Sequence, residues 1–371
     1  MGSALAKYRG AIIGLGWMGM LYDIGDRMGV WHVDDVKRPT PDLDVGRRFH
    51  YHDYHVSRRF PTSYSEAFND REEIQLVAAA ERDRKRLQVF GQRYAVDALY
   101  TDAFEMLETE RPDIVGISSN TKGRADLTCC AVQNGAKGII TEKPIAITLE
   151  EADRMVQRCA DADVPLCVGA ISTSHPSLAK VKELLHGGAI GELVSMEASS
   201  NTNMSQHQNW AYFVDGTPAW VVVYGDEPPR ESGSGEFRGQ GMMVTAEDQV
   251  VFFRKNAPML RLTGSLGEIM HESAYGPWKL WQTVETAGGQ KAVEVPWPNP
   301  QMQPLGGAVY GLADIIECME GRMAEPKNSG RSVAMAFEVE LAMKLSAAQG
   351  GARVELPLPN RDVAMEYDWH R

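Results

Sequence analysis

From Arg9 to about Ala170 the chain alternates short apolar runs with stretches of mixed polarity. The apolar runs, Arg9–Ile13, Gln75–Ala80, Ile114–Ser118, Lys137–Thr141 and Pro165–Ala170, have the length and continuity of strands buried on both faces. Between them Ser63–Asn69, Ala103–Glu110, Lys122–Asn134 and Leu149–Ala162 carry helical patterns. Strand–helix alternation of this kind predicts an α/β fold with a doubly wound parallel sheet. The pattern changes near Pro144. A helix over Ser177–His186 leads into alternating segments from Glu192 to Glu294, punctuated by turns at Asp215-Gly216, Ser232-Gly233-Ser234-Gly235 and Gly288-Gly289. Helices return at Gly307–Met319 and Ser332–Gln349. The second half is therefore expected to be α+β, with a large, mostly antiparallel open-faced sheet. The expected domains are residues 7–144 and 145–371.

The first apolar run ends in Gly14-Leu15-Gly16-Trp17-Met18-Gly19, a G-x-G-x-x-G turn. In a Rossmann domain the first glycine permits the tight turn, the second lets backbone approach a pyrophosphate, and the third allows close helix–strand packing. Backbone N–H groups at a following helix N-terminus would then face the phosphates. The second apolar run ends in Glu81, a carboxylate placed to accept hydrogen bonds from the adenosine ribose, which favours NAD. Arg82 follows, with Arg84 and Lys85 close by, and these could hold the 2′-phosphate of NADP; both cofactors stay open.

Tyr22–Pro61 interrupts the expected βαβ unit, because the second strand starts only near Gln75. The helix is expected to be displaced to Ser63–Asn69, with an insertion leaving directly from the phosphate turn. The insertion carries Trp31, His32, His50, Tyr51, His52, Tyr54 and His55. That spacing yields no tetrahedral ligand set, so no metal is expected. A covering loop, or a lid over the cofactor, is the expected role.

Composition narrows the partners. The net charge of −12 argues against nucleic acid, which needs a basic surface. No apolar run approaches the ~20 residues of a membrane span, and MGSALAKYRG enters the first strand without the apolar core of a signal peptide. The five cysteines, Cys129, Cys130, Cys159, Cys167 and Cys318, show no C-x-x-C spacing and suit a reducing compartment, so a cytoplasmic location is expected.

The run Ile139–Thr148 ends in Glu142-Lys143-Pro144. Pro144 biases Lys143 toward extended backbone. Beside a cofactor, a lysine so held can bind a substrate hydroxyl and stabilise negative charge as hydride leaves. The glycine turn, this triplet and the change to an antiparallel second half, in this order and spacing, resemble the Gfo/Idh/MocA group of oxidoreductases. The resemblance covers nearly the whole chain apart from the insertion.

The resemblance implies that Lys143 is catalytic or orients substrate. It implies that the family's Asp-x-Gly-x-His signature falls on Asn203-Met204-Ser205-Gln206-His207. His207 then keeps the acid–base histidine, while Asn203 stands for the aspartate and Ser205 for the glycine. Asparagine can orient the ring without supplying a charge, which would lower the pKa of His207 relative to the family. Ser119, Asn120, Thr121, Glu142 and Lys143 are expected cofactor contacts. Ser174, His175 and Asn203 are expected at the substrate, with capping of the following helix as the competing account of Ser174 and Pro176. Many relatives have histidine near Arg124; arginine there is either a selector for acidic substrates or a helix-surface charge.

The implied activity is hydride transfer between NAD or NADP and a secondary alcohol of a sugar, polyol or inositol-like substrate. Two alternatives stay open: a glycosidase that uses NAD transiently, and a non-catalytic cofactor or sugar sensor of the same fold. A homodimer or homotetramer formed through the broad sheet is also implied.

Overall fold

The computed structural model describes residues 6–21, 63–169, 174–200, 208–226, 235–255, 257–272, 277–298 and 307–365. Contacts divide the chain into two compact units. The first comprises residues 1–146, 151–174 and 305–330, and the second residues 147–150, 175–304 and 331–371. The chain thus passes between units several times, whereas a single crossing near Pro144 was expected.

The first unit is built on a six-stranded parallel sheet of β1 (Tyr8–Ile13), β2 (Ile74–Ala80), β3 (Ala98–Tyr100), β4 (Ile114–Ile117), β5 (Gly138–Thr141) and β6 (Leu166–Val168). Their order, β3-β2-β1-β4-β5-β6, is that of the dinucleotide-binding doubly wound fold. The apolar runs became strands because both faces are covered: Ile12, Ile114, Ile117 and Ile140 are fully buried. Each such side chain contributes ~1.5–3 kcal/mol through burial. Only β3 escaped the sequence reading; three residues carry too little pattern.

Helices α1 (Tyr64–Asn69), α2 (Arg84–Tyr94), α3 (Ala103–Glu110), α4 (Arg124–Gln133) and α5 (Leu149–Asp161) alternate with these strands. Side chains of Ser63, Asp83 and Asp102 cap α1, α2 and α3 by accepting from first-turn N–H groups. The displaced helix predicted over Ser63–Asn69 is α1. Its Glu66 is fully buried and accepts from Arg93 Nε at 2.7 Å and Tyr94 OH at 2.8 Å, which ties α1 to α2.

In the second unit α6 (Pro176–His186) precedes a nine-stranded sheet. Its strands are β7 (Leu193–Ser199), β8 (Pro218–Tyr224), β9 (Gln240–Thr245), β10 (Val250–Arg254), β11 (Leu260–Gly264), β12 (Gly267–His271), β13 (Trp278–Thr286), β14 (Gly289–Val295) and β15 (Val354–Glu355). Pairing is antiparallel except between β7 and β10. One face buries Met196, Val221, Val223, Met243, Val251, Phe253, Leu260 and Leu262. The other aligns Val222, Met242, Phe252, Glu197 and Arg261 across neighbouring strands. Tyr224 and Phe252 on that face are exposed.

Two further helices close the chain, α7 (Gly307–Met319) in the first unit and α8 (Gly330–Ala348), whose body lies in the second. In α8, Ser346 accepts from the Val223 N–H at 3.0 Å, and Glu340 accepts from the Phe237 N–H at 2.9 Å. Burial, and then the charge of Glu236, holds the Glu340 carboxyl up at about 8. The unfolded chain releases that proton near the ordinary value of about 4.3. Between these limits the folded state binds more protons, so stability falls as pH rises from the carboxylate range through about 8. Glu340→Gln keeps the acceptor oxygen and removes the titration. It is expected to melt a few degrees above wild type at mildly alkaline pH and to flatten the Tm–pH profile; an unchanged slope would assign the pH dependence to other groups.

Candidate functional site

At the end of β1, Gly14 adopts φ +84° and donates its N–H to the Ala80 carbonyl at 2.8 Å. Only glycine holds that backbone cheaply. A Cβ on Gly19 would overlap the Gly14 carbonyl oxygen, so this position also admits nothing larger. Gly16 differs: no heavy atom of the described residues lies within 4 Å of where its Cβ would stand. The turn is therefore closed at Gly14 and Gly19 and open at Gly16.

No α-helix follows directly. Trp17–Leu21 forms a π-helical turn in which the Gly16 carbonyl accepts from Met20 N–H at 2.9 Å and Leu21 N–H at 3.0 Å. Among the described residues, the helix N-terminus expected to face the phosphates is this five-residue turn. Ser65 of α1 donates to the Gly19 carbonyl at 2.5 Å, so the displaced helix braces the turn's far end.

A cleft of about 560 Å³ opens above the turn. Gly14, Gly16, Ser118, Ser119 and Asn120 line one part of it, and Glu81, Arg82, Arg86, Asp102 and Phe104 another. Glu81 is engaged by backbone at both oxygens, accepting from Leu15 N–H at 2.6 Å and from Asp83 N–H at 3.1 Å. A carboxylate has about four lone-pair sites, so Glu81 can brace the turn and still accept from a ligand. Leu15 is buried, so its backbone alone is offered to a ligand, while Trp17 and Met18 are half-buried and pack partly against the core. Thr121 is buried and does not line the cleft, unlike Ser119 and Asn120. Lys122 does line it, a contribution the sequence did not single out.

The E-K-P triplet follows β5. Glu142 is buried and its Oε1 accepts from the Tyr64 hydroxyl at 2.8 Å, so α1 holds this side chain. Burial raises the Glu142 carboxyl above its usual range, opposed by the Tyr64 hydroxyl and the charges of Lys143 and Arg124. The Lys143–Pro144 peptide bond is cis. The stem of Lys143 runs beside Gly169, at the end of β6, where a Cβ would meet Asn328 Nδ2 at 3.4 Å and Lys143 Cβ at 3.5 Å. Asn328 donates to the Gly169 carbonyl at 3.0 Å.

Arg124 corrects both sequence readings of that residue. It is neither on the helix surface nor turned to a substrate; it is 2% exposed. Its Nη1 donates to the Glu142 carbonyl at 2.6 Å and to the Pro144 carbonyl, and its Nη2 donates to the Ser119 carbonyl at 2.7 Å. Burial pulls the guanidinium down to about 10. The signal was present in the spacing, because Arg124, Leu127, Thr128 and Ala131 share one face of α4 and are all buried.

Ser174 is buried, with its Oγ 3.7 Å from Cys167 Sγ. His175 caps α6: its Nδ1 accepts from the Ser177 N–H at 3.0 Å and lies 2.8 Å from Ser177 Oγ, which in turn accepts from Trp278 Nε1 at 3.0 Å. Capping was expected of Ser174 and Pro176; Pro176 does open the helix, but the cap itself is His175. Asn203, His207 and the Tyr22–Pro61 insertion with its histidines lie outside the described residues. Among the described residues, no group of three or more His, Cys, Asp or Glu is placed to hold a metal, and no helix is long and apolar enough to cross a membrane.

Strand order, glycine turn and cleft together define a dinucleotide-binding Rossmann unit. Residues 58–170 match the model of the oxidoreductase family with NAD-binding Rossmann fold, GFO_IDH_MocA. Over 132 residues the chain is 35% identical to D-apiose dehydrogenase of Paraburkholderia graminis, covering 36% of this chain and 35% of that enzyme. Over 134 residues it is 28% identical to myo-inositol 2-dehydrogenase of Thermotoga maritima, covering 36% of this chain and 40% of that enzyme. The chain thus aligns with little more than a third of these relatives' length. The fold itself extends further. An oxidoreductase from Agrobacterium radiobacter, solved with NAD+, L-tartaric acid and magnesium, superposes with TM-score 0.64 at 18% identity, covering 94% of this chain and 98% of that one. Aldose-aldose oxidoreductase from Caulobacter crescentus, solved with glycerol, gives 0.63 at 18% identity over 94% of this chain and 100% of that one.

Proposed function

We propose that the protein is an NAD(P)-dependent dehydrogenase or reductase that moves hydride between the nicotinamide and a secondary alcohol of a sugar, polyol or inositol-like substrate. The observation that carries this reading is the open position at Gly16 in a turn otherwise closed at Gly14 and Gly19. Such a turn lets a pyrophosphate approach the backbone. Gly14, Leu15, Gly16, Trp17, Met18 and Gly19 would hold it through backbone, with Ser119 and Asn120 further along the cleft.

Glu81 would accept from the adenosine ribose and repel a 2′-phosphate, which makes NAD our assigned cofactor. Arg82 and Arg86 line the same cleft and are the residues through which NADP would be admitted. When bound, the nicotinamide supplies the hydride acceptor or donor. Lys143 orients the substrate oxygen and stabilises its negative charge. The proton-accepting role falls to His207, assigned from the resemblance. The substrate class rests on the sugar and inositol dehydrogenases among the relatives. A homo-oligomer is part of the same reading, supported by the exposed Tyr224 and Phe252 on the open sheet.

Titration with NADH and NADPH, followed by fluorescence, is the direct test. Saturable binding, tighter for NADH, is expected, and a sugar and polyol panel would then be screened for NADH production. Failure to bind either nucleotide would remove the proposal. Tighter NADPH binding would move the cofactor assignment from Glu81 to Arg82 and Arg86.

A further inference from the structure

The side chain through which Arg124 reaches the E-K-P segment is out of proportion to a structural tie. Its guanidinium donates to the carbonyls of Glu142 and Pro144, the residues immediately before and after Lys143. The other arm reaches the Ser119 carbonyl, in the loop that lines the cofactor cleft. One buried, planar group thus joins the loop after β4 to the loop after β5, with Lys143 between two of its contacts. An aliphatic side chain would fill the same space without carrying a charge into the interior, where it is costly. All three hydrogen-bond acceptors are neutral carbonyls, so what the charge supplies is strong, directional hydrogen bonding. Lysine could not replace it, since one ammonium nitrogen cannot fork across two loops.

We propose that Arg124 is a positioning residue: it holds the backbone on both sides of Lys143 and fixes that segment against the cleft loop at Ser119, and so sets where the Lys143 ammonium stands during turnover. The inference rests on the reading of Lys143 as the substrate-orienting group. Arg124 touches neither cofactor nor substrate in this assignment. Its loss should therefore appear mainly in kcat, with only a small change in cofactor affinity through its tie to Ser119.

The test compares Arg124→Ala, Arg124→Lys and Lys143→Ala in the full-length chain, by steady-state kinetics, NADH titration and thermal melting. Arg124→Ala is expected to lose ~10²-fold in kcat, the scale of a misplaced reacting group, while its NADH dissociation constant stays within roughly threefold of wild type. Added guanidinium should restore part of the turnover, and methylammonium should not. Arg124→Lys, which keeps the charge, should also lose turnover, and it carries the test if Arg124→Ala does not fold. The inference is overturned if Arg124→Lys keeps near-normal kcat while Lys143→Ala is inactive. It is also overturned if guanidinium fails to restore a folded Arg124→Ala, or if kcat and NADH affinity fall together in step with melting temperature. Retained turnover in Lys143→Ala would instead remove the reading on which the inference stands, and the inference with it.

Discussion

Lys143→Ala is expected to lower kcat by ~10²–10³-fold, the usual loss when one preorganised donor to a developing negative charge is removed. NADH affinity should stay close to wild type, because the cleft that would hold the nucleotide is lined by the glycine turn, Glu81 and the Ser118–Asn120 loop and does not include Lys143. The split matters more than the size of the effect. A lysine that only contributed positive potential would weaken nucleotide binding as it slowed turnover, whereas one that orients substrate affects kcat and substrate KM. Steady-state kinetics on any productive sugar or polyol, with NADH titration of the same variant, separates the two. Near-normal kcat in Lys143→Ala would sink the assigned role.

The second large effect concerns the glycine turn, where two alanine substitutions should behave in opposite ways. At Gly19 the new methyl group would overlap the Gly14 carbonyl, which is backbone and cannot swing aside. Gly19→Ala should therefore lose stability by ~1–3 kcal/mol, as forced overpacking does, together with NADH binding. At Gly16 no heavy atom of the described residues stands within 4 Å of the new methyl group, so Gly16→Ala should melt like wild type. It should nonetheless bind NADH at least ~10-fold more weakly, since the methyl would stand where backbone must approach the pyrophosphate. Normal NADH binding by Gly16→Ala would move the phosphates elsewhere. A large drop in its melting temperature would show that the open position is structurally filled.

Much of the first unit was legible in sequence because its physics is local. Buried parallel strands must be continuously apolar, and the five runs from Arg9 to Ala170 each became strands of the predicted sheet. The displaced helix was expected over Ser63–Asn69, and in the structure the Ser63 side chain accepts from the Glu66 N–H as an N-cap should. What sequence could not show was how polar side chains divide their hydrogen bonds. Glu81 was identified as a ribose ligand, but its first partners are the backbone N–H groups of Leu15 and Asp83. His175 was considered for substrate and turned out to cap α6. Arg124 was judged as a charge on a helix, although its spacing with Leu127, Thr128 and Ala131 already placed it on the buried stripe. For Glu81 and Arg124 the missing information was a partner distant in sequence, the Leu15 N–H in one case and the carbonyls of Glu142 and Pro144 in the other.

The late helix α7 bears on how this protein is made. Ala308, Leu312, Ile315 and Ile316 enter the same apolar cluster as Ile12, Ile140 and Cys167. A ribosome emits chain from the N-terminus, and domains ordinarily fold as their last element emerges. Here the glycine turn and every strand of the nucleotide sheet leave the ribosome well over a hundred residues before the helix that completes their core. The nascent first unit must wait with that apolar surface uncovered while the second unit is synthesised. Its folding is thereby made dependent on translation of nearly the entire chain.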